Sequence, residues 1–167
     1  RSELITDADL KTLANLESGR EQVTFLNITR AAITDEGLQN LTKLPELTQL
    51  DLTSTGIDGQ GITALRECST LRKLKVSGVL RMMPQGWEEI SKLSQLEVLD
   101  VSSSSNISNA DVAKFMALTN LRELNLSETP ITDDAFKSLA EMEGLEILKI
   151  EGNGLLKGHG LQAYTRS

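Results

Sequence analysis

Hydrophobic positions along this chain recur in a fixed order. From Val23 onward, apolar residues fill the first, fourth and sixth places of units that begin at Val23, Leu47, Leu71, Leu96, Leu121 and Leu145, a period of 24 or 25 residues. The triplets are Val23, Leu26 and Ile28; Leu47, Leu50 and Leu52; Leu71, Leu74 and Val76; Leu96, Leu99 and Val101; Leu121, Leu124 and Leu126; Leu145, Leu148 and Ile150. Apolar side chains two residues apart share one face of an extended strand. Each unit therefore predicts a short strand whose fourth and sixth side chains point inward and whose third, fifth and seventh point out. Further along each unit, apolar residues come every third place, as in Leu38, Leu41 and Leu44 or Val112, Phe115 and Leu118. That spacing predicts one buried stripe on a short helix.

The starts of these helices also repeat. Ile33-Thr34-Asp35-Glu36-Gly37-Leu38 is echoed by Ile131 to Phe136 and by Ile5 to Leu10. Thr6, Thr34, Asp58, Ser108 and Thr132 precede the helices, where a side-chain oxygen can accept a free amide hydrogen of the first turn. Asp35, Glu36, Asp133 and Asp134 are expected to sit where the helix dipole favours negative charge.

A strand, a turn and a short helix cannot bury their apolar face alone, so the units must stack into one continuous core. The LxxLxLxxT run from Leu121 to Thr129 and the ITDxGL run from Ile33 to Leu38 resemble leucine-rich repeat proteins. The resemblance is to the cysteine-containing type, found in F-box substrate receptors and in many bacterial proteins, and Leu65 to Leu71, with Cys68, is similar to that type's cysteine signature. It implies an α/β fold: a curved right-handed leucine-rich repeat solenoid with a parallel sheet on the concave face and short helices on the convex face. On this reading 1–167 is a single domain. It divides into an N-terminal half-repeat and connection at 1–22, full repeats at 23–46, 47–70, 71–95, 96–120 and 121–144, and a divergent C-terminal repeat at 145–167. The ninth position of the units departs from a fixed Asn or Cys, reading Ala31, Thr55, Val79, Ser104, Thr129 and Asn153. Glycines crowd the last unit, which is expected to be the loosest, with Leu161 and Tyr164 closing the core. The missing initiator Met and the lack of cap signatures suggest a fragment or a processed chain.

Composition narrows the function. The 167 residues carry a formal charge of -7 and only 3% aromatics. An acidic chain argues against a nucleic-acid groove or an anionic membrane surface, which want a clustered positive field. A single cysteine cannot form an intrachain disulfide, and one histidine leaves little material for metal or acid–base chemistry. The carboxylates follow the repeat rather than a catalytic constellation, and the glycines from Gly56 to Gly61 fall in turn and helix-start positions. No enzyme activity, cofactor or metal is expected, and no small-molecule substrate is evident. Cys68 fills the slot of Leu44 and Leu93 and reads as a buried small hydrophobe. His159 reads as a solvated loop residue. Ser102 to Ser105 reads as a turn with an inserted residue rather than a modification site.

Binding of a protein partner by the concave sheet is the function that the resemblance implies. At the fifth position Lys75 falls between Asp51 and Asp100, which reads either as a self-neutralising ladder or as a polar recognition strip. At the third position Phe25, Val98 and Ile147 are apolar where the template exposes them, beside Lys73. They are candidate anchors, or residues covered by a missing flank. The third unit replaces the usual turn with Val79 to Trp87 and is basic. Trp87 aligns with Leu38, so it reads as core, and one of Met82 and Met83 must fill the slot of Ile33. Leu80 and Arg81 are left exposed and are expected, with Lys73 and Lys75, to contact an acidic or mixed partner. The alternatives are a recognition or regulatory piece of a larger protein and a structural spacer. The lack of paired-cysteine caps is unlike extracellular animal repeats; a cytoplasmic site is favoured, and bacterial export stays open.

The register is testable by urea unfolding. Leu50→Ala and Leu124→Ala should each destabilise by about 2–5 kcal/mol, and Gln49→Ala and Asn125→Ala by much less; equal small effects at all four would reject the inside/outside assignment.

Overall fold

The computed structural model describes residues 4–160. Leu161 and Tyr164, expected to close the core, lie outside them. Six three-residue strands, β1 (Phe25–Asn27), β2 (Gln49–Asp51), β3 (Lys73–Lys75), β4 (Val98–Asp100), β5 (Glu123–Asn125) and β6 (Ile147–Lys149), form one parallel sheet in chain order. Register pairs like with like: Leu26, Leu50, Leu74, Leu99, Leu124 and Leu148 form one row across the sheet. Opposite the sheet lie α1 (Asp7–Ala14), α2 (Asp35–Leu38), α3 (Pro84–Ser91), α4 (Asn109–Lys114) and α5 (Ala135–Leu139). The expected short helix of the second unit winds as a 3-10 helix over Gln60–Glu67. The aliphatic core runs between the two layers as one cluster, with Trp87, Phe115 and Phe136 fully buried in it.

One backbone feature recurs in every unit. The eighth residue, Arg30, Ser54, Gly78, Ser103, Glu128 or Gly152, is left-handed, with φ between 54° and 68°. This conformation turns its N–H onto the seventh-position carbonyl of the next unit, as from Arg30 to Thr53 (2.8 Å) and from Glu128 to Glu151 (2.8 Å). A left-handed non-glycine residue costs about 1–2 kcal/mol, and the inter-unit hydrogen bond offsets it. The ninth residue then turns inward. Thr55 and Thr129 donate their hydroxyls to Leu52 O (2.7 Å) and Leu126 O (2.6 Å). Val79 has no such bond to give and is a fully buried apolar plug.

The acidic helix starts do work beyond that expected of them. The Asp35 carboxylate accepts from three amides of the following unit: Asp58 N (2.7 Å), Gly59 N (3.0 Å) and Gly61 N (2.6 Å). Asp7 reaches Thr34 N (2.9 Å) and its hydroxyl (2.6 Å). Asp133 accepts from Lys157, Gly158 and His159 N. Burial alone would raise the Asp133 pKa, but these backbone donors and His159 hold it below the ordinary aspartate range. These aspartates are staples between units; Asp35 and Glu36 also sit in the first turn of α2, as expected, whereas Asp133 and Asp134 precede α5. Glu36 is exposed, and Asp134 pairs with Lys137 at 2.7 Å. Capping occurs at Thr34, which accepts from Glu36 N (3.3 Å), and at Ser108, which accepts from Asp111 N (3.2 Å). Thr6 donates instead to the Asp9 carboxylate (2.7 Å). Gly59, at φ 103°, immediately precedes the second helix, and Asp58 one residue earlier accepts from Gln60 N of its first turn (3.1 Å). The Thr132 cap is corrected. Thr132 accepts from Asn109 Nδ2 (2.7 Å), and α5 begins three residues later.

Between the second and third units the staple is missing, because Gly59 stands where Asp35 stands one unit earlier. Here the backbones meet directly: a Cβ on Gly59 would lie 2.4 Å from the Gly86 Cα. The extra residue of the third and fourth units falls after the ninth position, at Leu80-Arg81 and Ser105-Asn106, and the Asn106 amide donates to Met82 O. Ser102 to Ser104 therefore form the same turn as every other unit, and the insertion follows it.

The staple separates two acids that dipole logic treats alike. Asp35→Ala should destabilise by about 2–4 kcal/mol, since it orphans three amides, whereas Glu36→Ala should change the urea midpoint little.

Candidate functional site

The outward face of the sheet is built by the third and fifth positions, which alternate with the buried fourth. Between β1 and β4 it forms a shallow groove of about 220 Å³ lined by Phe25, Gln49, Asp51, Lys73, Lys75 and Val98. Five of the sequence-derived candidates thus share one concavity. Phe25 is 55% exposed on it, and Val98 is half-buried. Asp100 sits beside Lys75 in the β3–β4 register. Ile147 is 47% exposed but lies on β6, two strands beyond Val98. Leu80, 67% exposed, and Arg81 lie in the turn after β3, outside the groove lining.

The electrostatics of the fifth position overturn one of the two sequence readings, the self-neutralising ladder. Asp51 Oδ1 accepts from Thr53 N (3.0 Å), and Asp100 Oδ1 accepts from Ser102 N (3.0 Å) and its hydroxyl (2.6 Å). Asn27 and Asn125 make the same bond to Thr29 and Ser127 N, each at 3.0 Å. An Asx side chain here closes the turn that ends the strand. Among the described residues no ion pair joins Lys75 to Asp51 or Asp100, so the self-neutralising ladder is not formed. Neutralisation occurs farther along, where Lys149 pairs with Glu123 at 2.6 Å. The Glu123 carboxylate holds the Lys149 ammonium above the ordinary lysine range. Asn27 and Gln49 also line the groove. The register that located Asp51 and Lys73 would have found them, but they carry neither charge nor an apolar surface to draw attention.

The basic third unit resolves into two faces. Met82 is 2% exposed and takes the core slot, leaving Met83 half-exposed beside Leu80. Pro84 is the first residue of α3, where its lack of an N–H is harmless. Glu89 is buried on the helix layer, accepting from Lys92 Nζ (2.8 Å) and Gln85 Nε2 (3.1 Å), with Arg66 3.8 Å away. Lys92 above all holds its carboxyl below the usual range against the opposing pull of burial. This cluster ties α3 to the preceding unit and faces away from the groove lining. Among the described residues, no group of three or more His, Cys, Asp or Glu is placed to hold a metal ion. None of their helices is long and apolar enough to cross a membrane. His159 has 85% of its side chain exposed.

A leucine rich repeat family profile matches residues 93–155, and another of the same description matches residues 23–41 and 43–65. No curated protein matches the sequence. Among solved structures, an internalin C2 from Listeria monocytogenes is similar, with a TM-score of 0.66 and 21% identity over 96% of this chain and 69% of that one. A TLR13 structure, solved as a complex with ssRNA13, is similar with a TM-score of 0.68 and 21% identity. That match covers 86% of this chain and 21% of TLR13, so the chain spans about a fifth of that relative. At this identity the likeness is one of fold.

Cys68 is buried, its Sγ lies 3.6 Å from Leu41 O, and burial pushes the thiol up to about 11. Thiolate is the reactive form, so a disulfide reagent at neutral pH should leave Cys68 untouched in the folded protein and react fully once urea unfolds it.

Proposed function

Because this chain is a leucine-rich repeat protein, we propose that it is a non-catalytic module that binds a protein partner on the concave sheet. The observation that carries this reading is the groove over β1–β4, where exposed Phe25, half-buried Val98 and the lysines of β3 stand together on a rigid preformed surface. A surface that is ordered before binding loses little conformational freedom on association. The fold supports the same use, since repeat stacks gain broad concave faces from the small rotation between units. Leu80 and Arg81 belong to this reading as a flanking contact, and Ile147 as a distal one. We also assign the chain to the cysteine-containing type, supported by Cys68 bridging to Leu41 O of the preceding unit.

Of the solved relatives, the TLR13 structure holds a single-stranded RNA. A protein partner is favoured here because the chain carries a charge of -7, and Asp51 and Asp100 flank Lys75 in the groove.

The reading is checked by placing a photo-crosslinking residue at Gln49 on the sheet and, separately, at Glu36 on the opposite layer. A partner protein should crosslink at Gln49 and not at Glu36, and Phe25→Ser should abolish that crosslink while leaving the urea midpoint unchanged. Crosslinking at Glu36 alone would place the binding face elsewhere.

A further inference from the structure

The two β3 lysines differ from the other strand cations. A fifth-position Asp or Asn closes its own turn in β1, β2, β4 and β5, and Lys75 gives up that bond. Lys149 gives it up too, but Glu123 compensates it. Among the described residues, neither Lys73 nor Lys75 has an ion pair or a side-chain hydrogen bond, and both are exposed. Two neighbouring ammonium groups on one strand repel each other, and an anion placed between them relieves this. The apolar surface of the groove lies on either side of them, at Phe25 on β1 and Val98 on β4.

We propose that this groove takes an extended acidic segment of the protein partner, with one carboxylate between Lys73 and Lys75 and apolar side chains against Phe25 and Val98. The proposal rests on the reading of the concave sheet as a protein-binding face. Adjacent strands lie about 4.8 Å apart and an extended chain advances about 3.3 Å per residue. A segment crossing the strands from β1 to β4 therefore carries a large apolar residue, an acid about three residues on, and a second apolar residue one or two after that. Asp51 and Asp100 flank Lys75 in register. Two carboxylates thus stand on either side of the site, so a single further carboxylate fits and a continuous polyanion is repelled.

Selection of phage-displayed random linear peptides on the intact chain tests this. The expected result is enrichment of the apolar–acid–apolar spacing. The enriched peptides should bind at least about tenfold more weakly when Lys73 and Lys75 are both replaced by Ala, and by a similar factor when the peptide acid is replaced by its amide. The amide exchange is made on the peptide, so it reads the charge contact whatever happens to the folding of the variant. No enrichment, enrichment without an acid, or indifference to the amide exchange overturns the proposal. So does oligouridylate RNA that binds more tightly than every selected peptide through the same two lysines. A partner that crosslinks from Gln49 but ignores both lysine substitutions removes the acidic segment and leaves the sheet reading standing. No crosslink from Gln49 removes both.

Discussion

The structure depends on one backbone hydrogen bond made between units. The amide of each eighth-position residue from Arg30 to Glu128 reaches the seventh-position carbonyl of the next unit at 2.8–2.9 Å. It can do so only from the left-handed region, where four of the six eighth-position residues are not glycine. A single unit would bear that strain with nothing in return, because both the acceptor and the apolar layer that shields it belong to its neighbour. Stability in such a stack is a property of the seams. The leucine row, buried from Leu50 to Leu124 and only partly buried at its ends Leu26 and Leu148, is the packing counterpart of the same dependence.

The seams are not uniform. Carboxylate staples at Asp7, Asp35 and Asp133, and an amide staple at Asn109, tie four of the six pairs of neighbouring units at the helix start. The seam from the second to the third unit has no such helix-start staple: there Gly59 approaches Gly86, and the side-chain ties are Gln95 Nε2 donating to Leu65 O and Cys68 O, with Arg66 beside Glu89. That seam lies beneath β2 and β3, the strands that carry Gln49, Asp51, Lys73 and Lys75. The concave groove and the unstapled seam thus occupy the same part of the stack on opposite layers.

Strand places, sheet order and the buried rows were legible in the sequence because a period of two inside a period of 24 or 25 leaves one register. Trp87 was legible as core for the same reason. The split between Met82 and Met83 was not, since both are apolar and the inserted Leu80-Arg81 shifts the count by one. The role of Asp35 was hidden because its partners, Asp58, Gly59 and Gly61, are backbone amides that bear no mark in the sequence. The same holds for Asp51 and Asp100: their oxygens close local turns through backbone amides, a role their charge does not announce. The candidate groove was half legible. Its residues followed from the outward register, and the isolation of the β3 lysines appeared only once the ion pairs were placed.

The contact of Gly59 with Gly86 bears on how such a chain can be lengthened or shortened by duplication. Units joined by aspartate staples each need one glycine, on the following unit, because a Cβ on Gly37, Gly61 or Gly160 would overlap Asp7, Asp35 or Asp133. The two glycines instead form a matched pair across a boundary, each making room for the other. A recombination that parted them would set a glycine hollow against a side chain, or a side chain against Gly86 with no space to enter. A duplication that cuts between the second and third units therefore keeps its fit only where the new neighbour also offers a glycine, whereas a cut at an aspartate-stapled boundary asks for a glycine on one side alone.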